Sequence, residues 1–171
     1  MCKRAPVGAD RIVVMGVTGS GKTTVGRLVA SEIGVPFLDA DTFHSADAVA
    51  RMHAGHPLTD ADRAPWLQRV HAALREVGDG AIVLACSALK RAYRDTLRDG
   101  LPPLTFVLLD VDPADLAVRL ATRTDHFADA TLLPSQLATL ELGDDVVRVD
   151  ATGSPDDVAR AVIDAVRGHV R

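Results

Sequence analysis

The chain has 171 residues, 47% hydrophobic and 25% charged, which suits one folded domain with a sizeable core and argues against intrinsic disorder. Its formal net charge of −4 argues against binding nucleic acid or an anionic membrane through an overall basic surface. Two cysteines are too few for a disulfide framework, and no export signal or membrane span is recognisable, so we expect a single cytoplasmic domain over residues 1–171.

Apolar runs typical of buried strands alternate along the chain with apolar residues at helical spacing. The runs at 11–16, 36–39, 81–86, 104–110 and 145–150 predict five strands. Helices are predicted from the apolar stripes at Val25–Ile33, Trp66–Val77 and Leu116–Leu120, from a segment ending near Arg98, and from a start at Ser154-Pro155. This order favours a three-layer α/β fold with a mostly parallel sheet, in which ligands bind at the carboxyl ends of the strands.

Residues 16–23 read GVTGSGKT, the pattern of a phosphate-binding P-loop between a strand and a helix. The glycines let backbone N–H groups surround a phosphate chain, Lys22 reaches the terminal phosphates, and Thr23 offers a hydroxyl to Mg²⁺. A chance glycine-rich turn is the alternative, but it is less compatible with the strand–loop–helix context. A switch GTPase is disfavoured because the chain contains no Asn, and a motor ATPase because the run at 81–86 ends in Cys86-Ser87 rather than an acid.

The stretch FLDADTFH places Asp39 and Asp41 at the end of the second predicted strand. If that strand lies beside the first one, both carboxylates would be near a bound γ-phosphate, and residues i and i+2 of extended backbone point the same way. We predict that Asp41 orients and deprotonates an acceptor hydroxyl and that Asp39 lies on the metal side. Alternatively, both acids are solvated loop residues that cap the following helix, and His44 is structural rather than a substrate contact.

Several longer stretches resemble one known family. The series MGVTGSGKTT, LDADTFH, ARMHAGHPLTDADRAPWL, CSALKRAYRDTLR and HF…LLPSQLATLE is similar to the bacterial gluconokinases, P-loop kinases related to shikimate kinase, over about residues 15–141. The resemblance implies transfer of the γ-phosphoryl group of ATP to the 6-hydroxyl of D-gluconate, with Mg²⁺. It implies no nucleic-acid or membrane partner, and it allows a homodimer.

The resemblance also implies roles for individual residues. Nucleotide contacts fall on Gly16, Thr18, Gly19, Ser20, Gly21, Lys22, Thr23 and Thr24, and metal contacts on Thr23 and Asp39. Asp41, His44 and Ser87 fall at the acceptor pocket. A substrate carboxylate needs a fixed cation, for which Arg51, Lys90 and Arg91 are candidates, although each could instead be a solvated surface charge.

Arg119 and Arg123 are four residues apart and would share one helix face. In related kinases arginines at this point border a lid over ATP, here at roughly 124–133. The resemblance therefore implies nucleotide contact by Arg119 and stabilisation of the transferring group by Arg123. The catalytic residues predicted are Lys22, Asp41 and Arg123.

The chain departs from the family pattern at Ala40, where the family often has Gly, and at Ser45, Ala48 and Ala64. An Ala at position 40 would be strained if that position required a positive φ angle. These departures keep two alternatives open: a kinase of the same fold for another acceptor, such as shikimate or a nucleotide, and a nucleotide-binding module without turnover.

Overall fold

Five parallel strands form a central sheet in the computed structural model, which describes residues 10–122 and 130–169. They are β1 (Arg11–Met15), β2 (Phe37–Asp39), β3 (Ile82–Ala85), β4 (Thr105–Asp110) and β5 (Val146–Asp150), in the spatial order β2-β3-β1-β4-β5. The predicted parallel sheet is therefore confirmed, and each predicted strand matches to within one residue at either end.

The described residues form seven α-helices between and after the strands. They are α1 (Lys22–Ile33), α2 (Ala46–His53), α3 (Asp60–Glu76), α4 (Arg91–Arg98), α5 (Pro113–Ala121), α6 (Leu133–Thr139) and α7 (Pro155–His169). Helices α2 and α6, with 8 and 7 residues, were not predicted. Short 3₁₀ turns occupy Ala40–Phe43 and Ala130–Leu132.

Side chains alternate along the strands between two apolar cores, one on each face of the sheet. Ile12 and Val14 of β1 lie in the core that includes α1 and α7, whereas Val13 and Met15 lie in the core that includes α3 and α4. All four are at most 2% exposed, and burial of a Val, Ile or Met side chain stabilises the fold by about 1.5–3 kcal/mol. The sheet is thus covered on both faces, as the unbroken apolar runs predicted.

The order of the strands corrects one premise of the sequence argument. The argument for Asp39 and Asp41 assumed that β2 lies beside β1, but β3 lies between them: Val13 pairs with Leu84, and Leu84 pairs with Leu38. Thus β2 is an edge strand, two positions away from the strand that carries the phosphate loop. Because all the strands are parallel, the carboxyl ends of β1, β2 and β3 still meet at one edge of the sheet.

A third, small apolar cluster lies outside the two main cores. It contains Met52 of α2, Leu58 and Leu132, with Ala48 packed against it. The cluster joins the chain after α2 to the segment just before α6, the last part of the predicted lid. Most of that lid lies outside the described residues, as does Arg123. No helix in residues 10–122 or 130–169 is long and apolar enough to cross a lipid bilayer.

Candidate active site

The loop between β1 and α1 has the geometry of a phosphate cradle. Gly16 has a φ angle of 149° and Gly21 one of 93°, and a Cβ atom at Gly16 would lie 2.7 Å from Ser20 Oγ. Gly21 caps α1 without a side-chain hydrogen bond, so no capping side chain covers the backbone amides of the first turn. An anion is the ligand that these amides and the helix dipole favour.

The first two side chains of α1 reach in different directions, Thr23 toward β2 and Lys22 back onto the phosphate loop. Thr23 Oγ1 donates a hydrogen bond to Asp39 Oδ2 at 2.9 Å, and Lys22 Nζ donates to the Val17 carbonyl oxygen at 2.9 Å. Mg²⁺ in kinases is bound by one or two protein oxygens together with substrate phosphates. The Thr23 hydroxyl and the Asp39 carboxylate fit that donor set, although the described residues contain no cluster of three His, Cys, Asp or Glu suited to a metal.

A glycine in α1 explains how Thr23 reaches Asp39 although β3 separates β1 from β2. The ring of Phe37 in β2 packs against Gly26, where a Cβ atom would lie only 2.8 Å from Phe37 Cε2. The missing side chain lets α1 approach β2 closely. The Arg27 guanidinium lies 4.8 Å from the centre of the same ring and adds a cation–π contact.

Asp39 and Asp41 are held in different ways. The carboxylate of Asp39 caps the 3₁₀ turn at Ala40–Phe43, accepting from the Asp41 N–H at 3.0 Å, while its other oxygen binds Thr23. The turn makes the extended-backbone argument wrong for Asp41. Asp39 does cap this turn, but it is a half-buried residue at the end of β2 and not a solvated loop residue. Asp41 nevertheless lines the same cavity as Lys22 and Thr23.

Ala40 carries no strain from a positive φ angle. Among the described residues, Ala88 is the one non-glycine residue whose φ angle is positive. The methyl group of Ala40 is fully buried, and its carbonyl oxygen accepts a hydrogen bond from Trp66 Nε1 at 2.7 Å. The replacement of a frequent family glycine at this position is therefore accommodated by packing.

The first of two cavities that the described residues form at the phosphate loop is built from four parts of the chain. Its walls are the phosphate loop (Thr18, Gly19, Gly21, Lys22, Thr23), the turn after β2 (Asp41, His44), the α2–α3 region (Met52, Pro57, Leu58, Arg63), and a far side made by Ser87, Leu132, Ser135 and Gln136. A cavity that presents a carboxylate, a guanidinium, hydroxyls and an amide beside a phosphate cradle suits a small polar acceptor.

His44 lies on this cavity as a neutral ring. Its imidazole stacks on Trp66 with ring centres 4.4 Å apart, and its Nε2 lies 3.9 Å from Asp41 Oδ1. Burial, with help from the positive charges of Arg63 and Arg69, lowers the pKa of His44 to about 4. The ring is thus uncharged at neutral pH, and it both packs structurally and faces the cavity.

The three cations that the sequence offered for a substrate carboxylate are placed in ion pairs and are not among the described residues that line the cavity. Arg51 binds Asp62 at 2.8 Å, Lys90 binds Asp60 at 2.7 Å, and Arg91 binds Asp144 at 3.0 Å. Among the described residues, two cations line the cavity: Lys22 of the phosphate loop, and Arg63 on α3, which sequence reasoning missed.

The helical position of Arg63 could have revealed it. Arg63 stands three residues before Trp66 and four before Leu67, both buried, so the three share one face of α3. Its Nε donates to the Leu58 carbonyl oxygen at 3.3 Å, and its guanidinium lies 5.7 Å from the Tyr93 ring centre. An arginine on the inward face of a helix is held in place more firmly than a surface cation.

The loop after β3 brings Ser87 to the cavity and buries its neighbours. Ala88, fully buried, has a φ angle of 46°, a left-handed conformation that costs a non-glycine residue roughly 1–2 kcal/mol. Cys86 is 1% exposed, and burial raises the pKa of its thiol to about 12. Cys86 therefore stays protonated and serves as a small core residue, not as a nucleophile.

A second cavity lies on the other side of the phosphate loop. Its walls are formed by the loop and the start of α1 (Gly19, Ser20, Gly21, Thr24, Val25), the end of α5 (Arg119, Thr122) and the segment after β5 (Ala151, Gly153, Pro155, Val158). Arg119 Nη2 donates to the Ala151 carbonyl oxygen at 2.8 Å. Two cavities thus meet at one phosphate loop, as transfer between two substrates requires.

Comparison with known proteins agrees with this arrangement. A family model described as shikimate kinase matches residues 18–166. Over 158 residues the chain is 51% identical to the gluconokinase of Gluconobacter oxydans (strain 621H), an alignment that covers 89% of this chain and 88% of that protein.

Solved structures give the same result. The chain resembles a gluconokinase from Sinorhizobium meliloti 1021 (39% identity, TM-score 0.84, 94% of this chain and 93% of that one) and a sugar kinase from Janibacter sp. HTCC2649 (41%, 0.87, 93% and 95%). A shikimate kinase from Aquifex aeolicus vf5 shares the fold at 16% identity, with a TM-score of 0.66 over 94% of this chain and 98% of that one.

Proposed function

This chain belongs to the gluconokinase family of P-loop kinases, and from that premise we propose how its residues carry out the reaction. The reaction is transfer of the γ-phosphoryl group of ATP to the 6-hydroxyl of D-gluconate, giving 6-phosphogluconate and ADP. One observation carries the assignment of roles: Asp41, Lys22 and Thr23 line a single cavity, with Asp39 bound to Thr23.

On the donor side, the backbone N–H groups of the loop and of the start of α1 bind the phosphates, and Lys22 binds the terminal ones. Thr23 and Asp39 are the residues that would hold Mg²⁺, whose charge offsets the negative charge of the phosphates. Arg119, at the second cavity, contacts the nucleotide, and the segment after β5 lines its base. Arg123, outside the described residues, is proposed to stabilise the transferring group.

On the acceptor side, Asp41 accepts the proton of the 6-hydroxyl as its oxygen attacks the γ-phosphorus. The new O–P bond forms while the bond from phosphorus to the β,γ-bridging oxygen breaks, and ADP leaves with that electron pair. Asp41 suits this task better than Asp39, since Asp41 lines the cavity and Asp39 is not among the described residues that do, its carboxylate being bound to Thr23 and to the turn that it caps.

We propose Arg63 as the cation that binds the gluconate carboxylate. It lines the cavity and is partly buried, so its charge is screened less than that of a surface cation. Arg51, Lys90 and Arg91 are held by Asp62, Asp60 and Asp144, and the side chains of Arg51 and Arg91 are about half exposed. In this proposal those three ion pairs support the walls of the cavity.

The experiment that tests the proposal is ADP release in a coupled assay with Mg²⁺-ATP. D-gluconate, shikimate and a nucleoside monophosphate are offered separately. We expect stimulation by gluconate alone. Stimulation by another acceptor instead would assign a kinase of different specificity, and ATP binding without stimulation by any acceptor would leave only a nucleotide-binding module.

Two proposals concern the whole chain and rest on the family resemblance: a cytoplasmic location and a homodimer. Fractionation of cells that express the tagged protein tests the first. Sedimentation equilibrium tests the second, since a dimer has twice the chain mass of 18.1 kDa.

A further inference from the structure

Gln136 connects α6 to the phosphate loop at the wall of the first cavity. Its Oε1 accepts a hydrogen bond from the backbone N–H of Thr18 at 2.6 Å, although the two residues are 118 positions apart in sequence. Both residues line the cavity that also contains Asp41. The mechanism proposed above gives Gln136 no role.

The residues around Gln136 fix its position. Leu133, in the first turn of α6, is buried in the core that includes Leu116 and Leu120, and Leu132 packs with Met52 and Leu58. The helix is therefore held from two sides, and the side chain of Gln136 is presented to the loop by packed elements rather than by a surface segment.

The contact with Thr18 determines which way the amide points. A backbone N–H can only donate, so the oxygen of the Gln136 amide faces Thr18 and the NH₂ group, with two donors, is turned away from that N–H. Among residues 10–122 and 130–169, no acceptor is hydrogen-bonded to that NH₂ group, and the side chain borders the cavity. Two directed donors on the wall of an acceptor site suit the hydroxyl or carboxylate oxygens of a sugar acid.

We propose that Gln136 binds the acceptor directly: Oε1 holds the Thr18 amide while Nε2 donates to an oxygen of the polyhydroxy carboxylate. This inference rests on the proposed function and deepens it. The residue keeps the acceptor at a fixed distance from the phosphate loop. It also occupies the Thr18 N–H, so the amides that bind phosphate begin at Gly19.

The variant Gln136→Glu separates this role from a purely structural one. A carboxylate keeps the shape of the side chain and still accepts from the Thr18 N–H, but it has no donor and brings a negative charge toward an anionic acceptor. We expect the KM for gluconate to rise about 10-fold or more, the scale of a lost hydrogen bond to a charged group. The KM for ATP should rise less than the KM for gluconate, because the contact with the loop is kept and only the repulsion between the new carboxylate and the phosphates is added.

Gln136→Leu removes both contacts and should weaken gluconate and ATP together. Thr139→Ala is the matched control on the same helix, since Thr139 Oγ1 donates within α6 to the Ser135 carbonyl oxygen and Thr139 is not among the described residues that line the cavity. It should leave both KM values unchanged.

Gluconate binding without turnover gives a second readout. Trp66 is the single tryptophan and stacks on His44 at the cavity, so its fluorescence reports occupancy when gluconate is titrated without ATP. We expect wild-type protein and Thr139→Ala to bind alike and Gln136→Glu to bind at least about 10-fold more weakly.

A wild-type gluconate affinity in Gln136→Glu would overturn the proposal and leave the contact as a brace for the loop. Tighter ATP binding in Gln136→Leu, with gluconate unaffected, would also overturn it, because the contact would then block the loop. Absence of gluconate stimulation in the wild type would instead refute the proposed function, and the titration distinguishes the two failures.

Discussion

At the scale of single residues, the two acids after β2 have separate tasks because different partners hold them. Asp39 is fixed by Thr23 and by the backbone of the turn that it caps, which suits a metal ligand. Asp41, in contrast, lines the cavity. Loss of Asp41 and loss of Asp39 should therefore change different kinetic parameters.

Asp41→Asn should lower kcat by about 10²-fold or more, the scale of a lost general base, and should leave the KM for ATP nearly unchanged. Steady-state kinetics with gluconate checks this. The companion variant Asp39→Asn should mainly raise the Mg²⁺ concentration needed for half-maximal activity. A nearly wild-type kcat in Asp41→Asn would transfer the role of base to Asp39.

His44 should make the free energy of unfolding depend on pH between about 4 and 6.5. Its pKa is about 4 in the folded protein, against 6.5 for a histidine exposed to water, so the unfolded chain binds more protons in that interval. Stability from neutral His44 is complete above pH 6.5 and is lost as the pH falls toward 4.

Urea denaturation at pH 7.5, 6 and 5 measures the effect. His44→Phe keeps an aromatic ring to stack on Trp66 and should lose less stability between pH 7.5 and 5 than wild type does. His169→Gln, at an exposed position in α7, should behave as wild type. Equal slopes in all three proteins would show that His44 is not the group that titrates.

At the scale of secondary structure elements, α4 holds the loop after β3 through one buried arginine. The fully buried side chain of Arg94 forms two hydrogen bonds with Asp145, at 2.8 and 3.1 Å, and donates to the carbonyl oxygens of Ala88, Leu89 and Glu141. These contacts lower the pKa of Asp145 well below its usual range. They also hold Ala88 in its left-handed conformation, and so place Ser87 at the cavity.

Arg94→Met should destabilise the fold by about 3–5 kcal/mol, because it leaves part of a buried ion pair and three carbonyl oxygens without their donor. Chemical denaturation gives the value. Arg98→Met is the control: Arg98 also binds Asp145, but its side chain is 33% exposed, and we expect a smaller loss. Equal losses in the two variants would argue against Arg94 as the main support of the loop.

The five strands were predictable because apolar runs bounded by polar or small residues mark them in the sequence. Their spatial order was not, since the runs carry no information on whether β3 pairs beside β1 or at the edge. In the cavity, the phosphate loop was predictable from a local pattern of eight residues. Gln136 was missed because its contact with Thr18 arises from the packing of α6, which brings residues distant in sequence together. Arg63 was missed although its spacing from Trp66 and Leu67 marks the inward face of α3.

At the scale of the whole molecule, ligand binding and folding should be separable at the phosphate loop. Lys22 lies in neither of the main apolar cores, and its ammonium group donates a hydrogen bond to the Val17 carbonyl oxygen within the loop. Lys22→Ala should therefore unfold at nearly the wild-type temperature without ligand, yet have no detectable turnover.

Differential scanning fluorimetry with Mg²⁺-ATP measures how much the nucleotide stabilises wild-type protein and Lys22→Ala. At about 100 times Kd, wild-type protein should gain roughly 5–10 °C in Tm, whereas Lys22→Ala should gain little. Lys90→Ala, which removes a surface ion pair with Asp60, should keep the wild-type shift. A full shift in Lys22→Ala would show that the loop amides alone hold the nucleotide.

The residues that bind ATP and those that bind the acceptor come from different parts of the chain, and this has a consequence for evolution. The phosphate loop belongs to the central β1–α1 unit, whereas most of the acceptor wall comes from residues 41–63 and 132–136, outside the sheet. Substitutions in those segments can therefore change the acceptor while the β1–α1 unit stays unchanged. Gln136 contacts the phosphate loop and, as proposed, the acceptor. A substitution at this position would therefore affect both substrates.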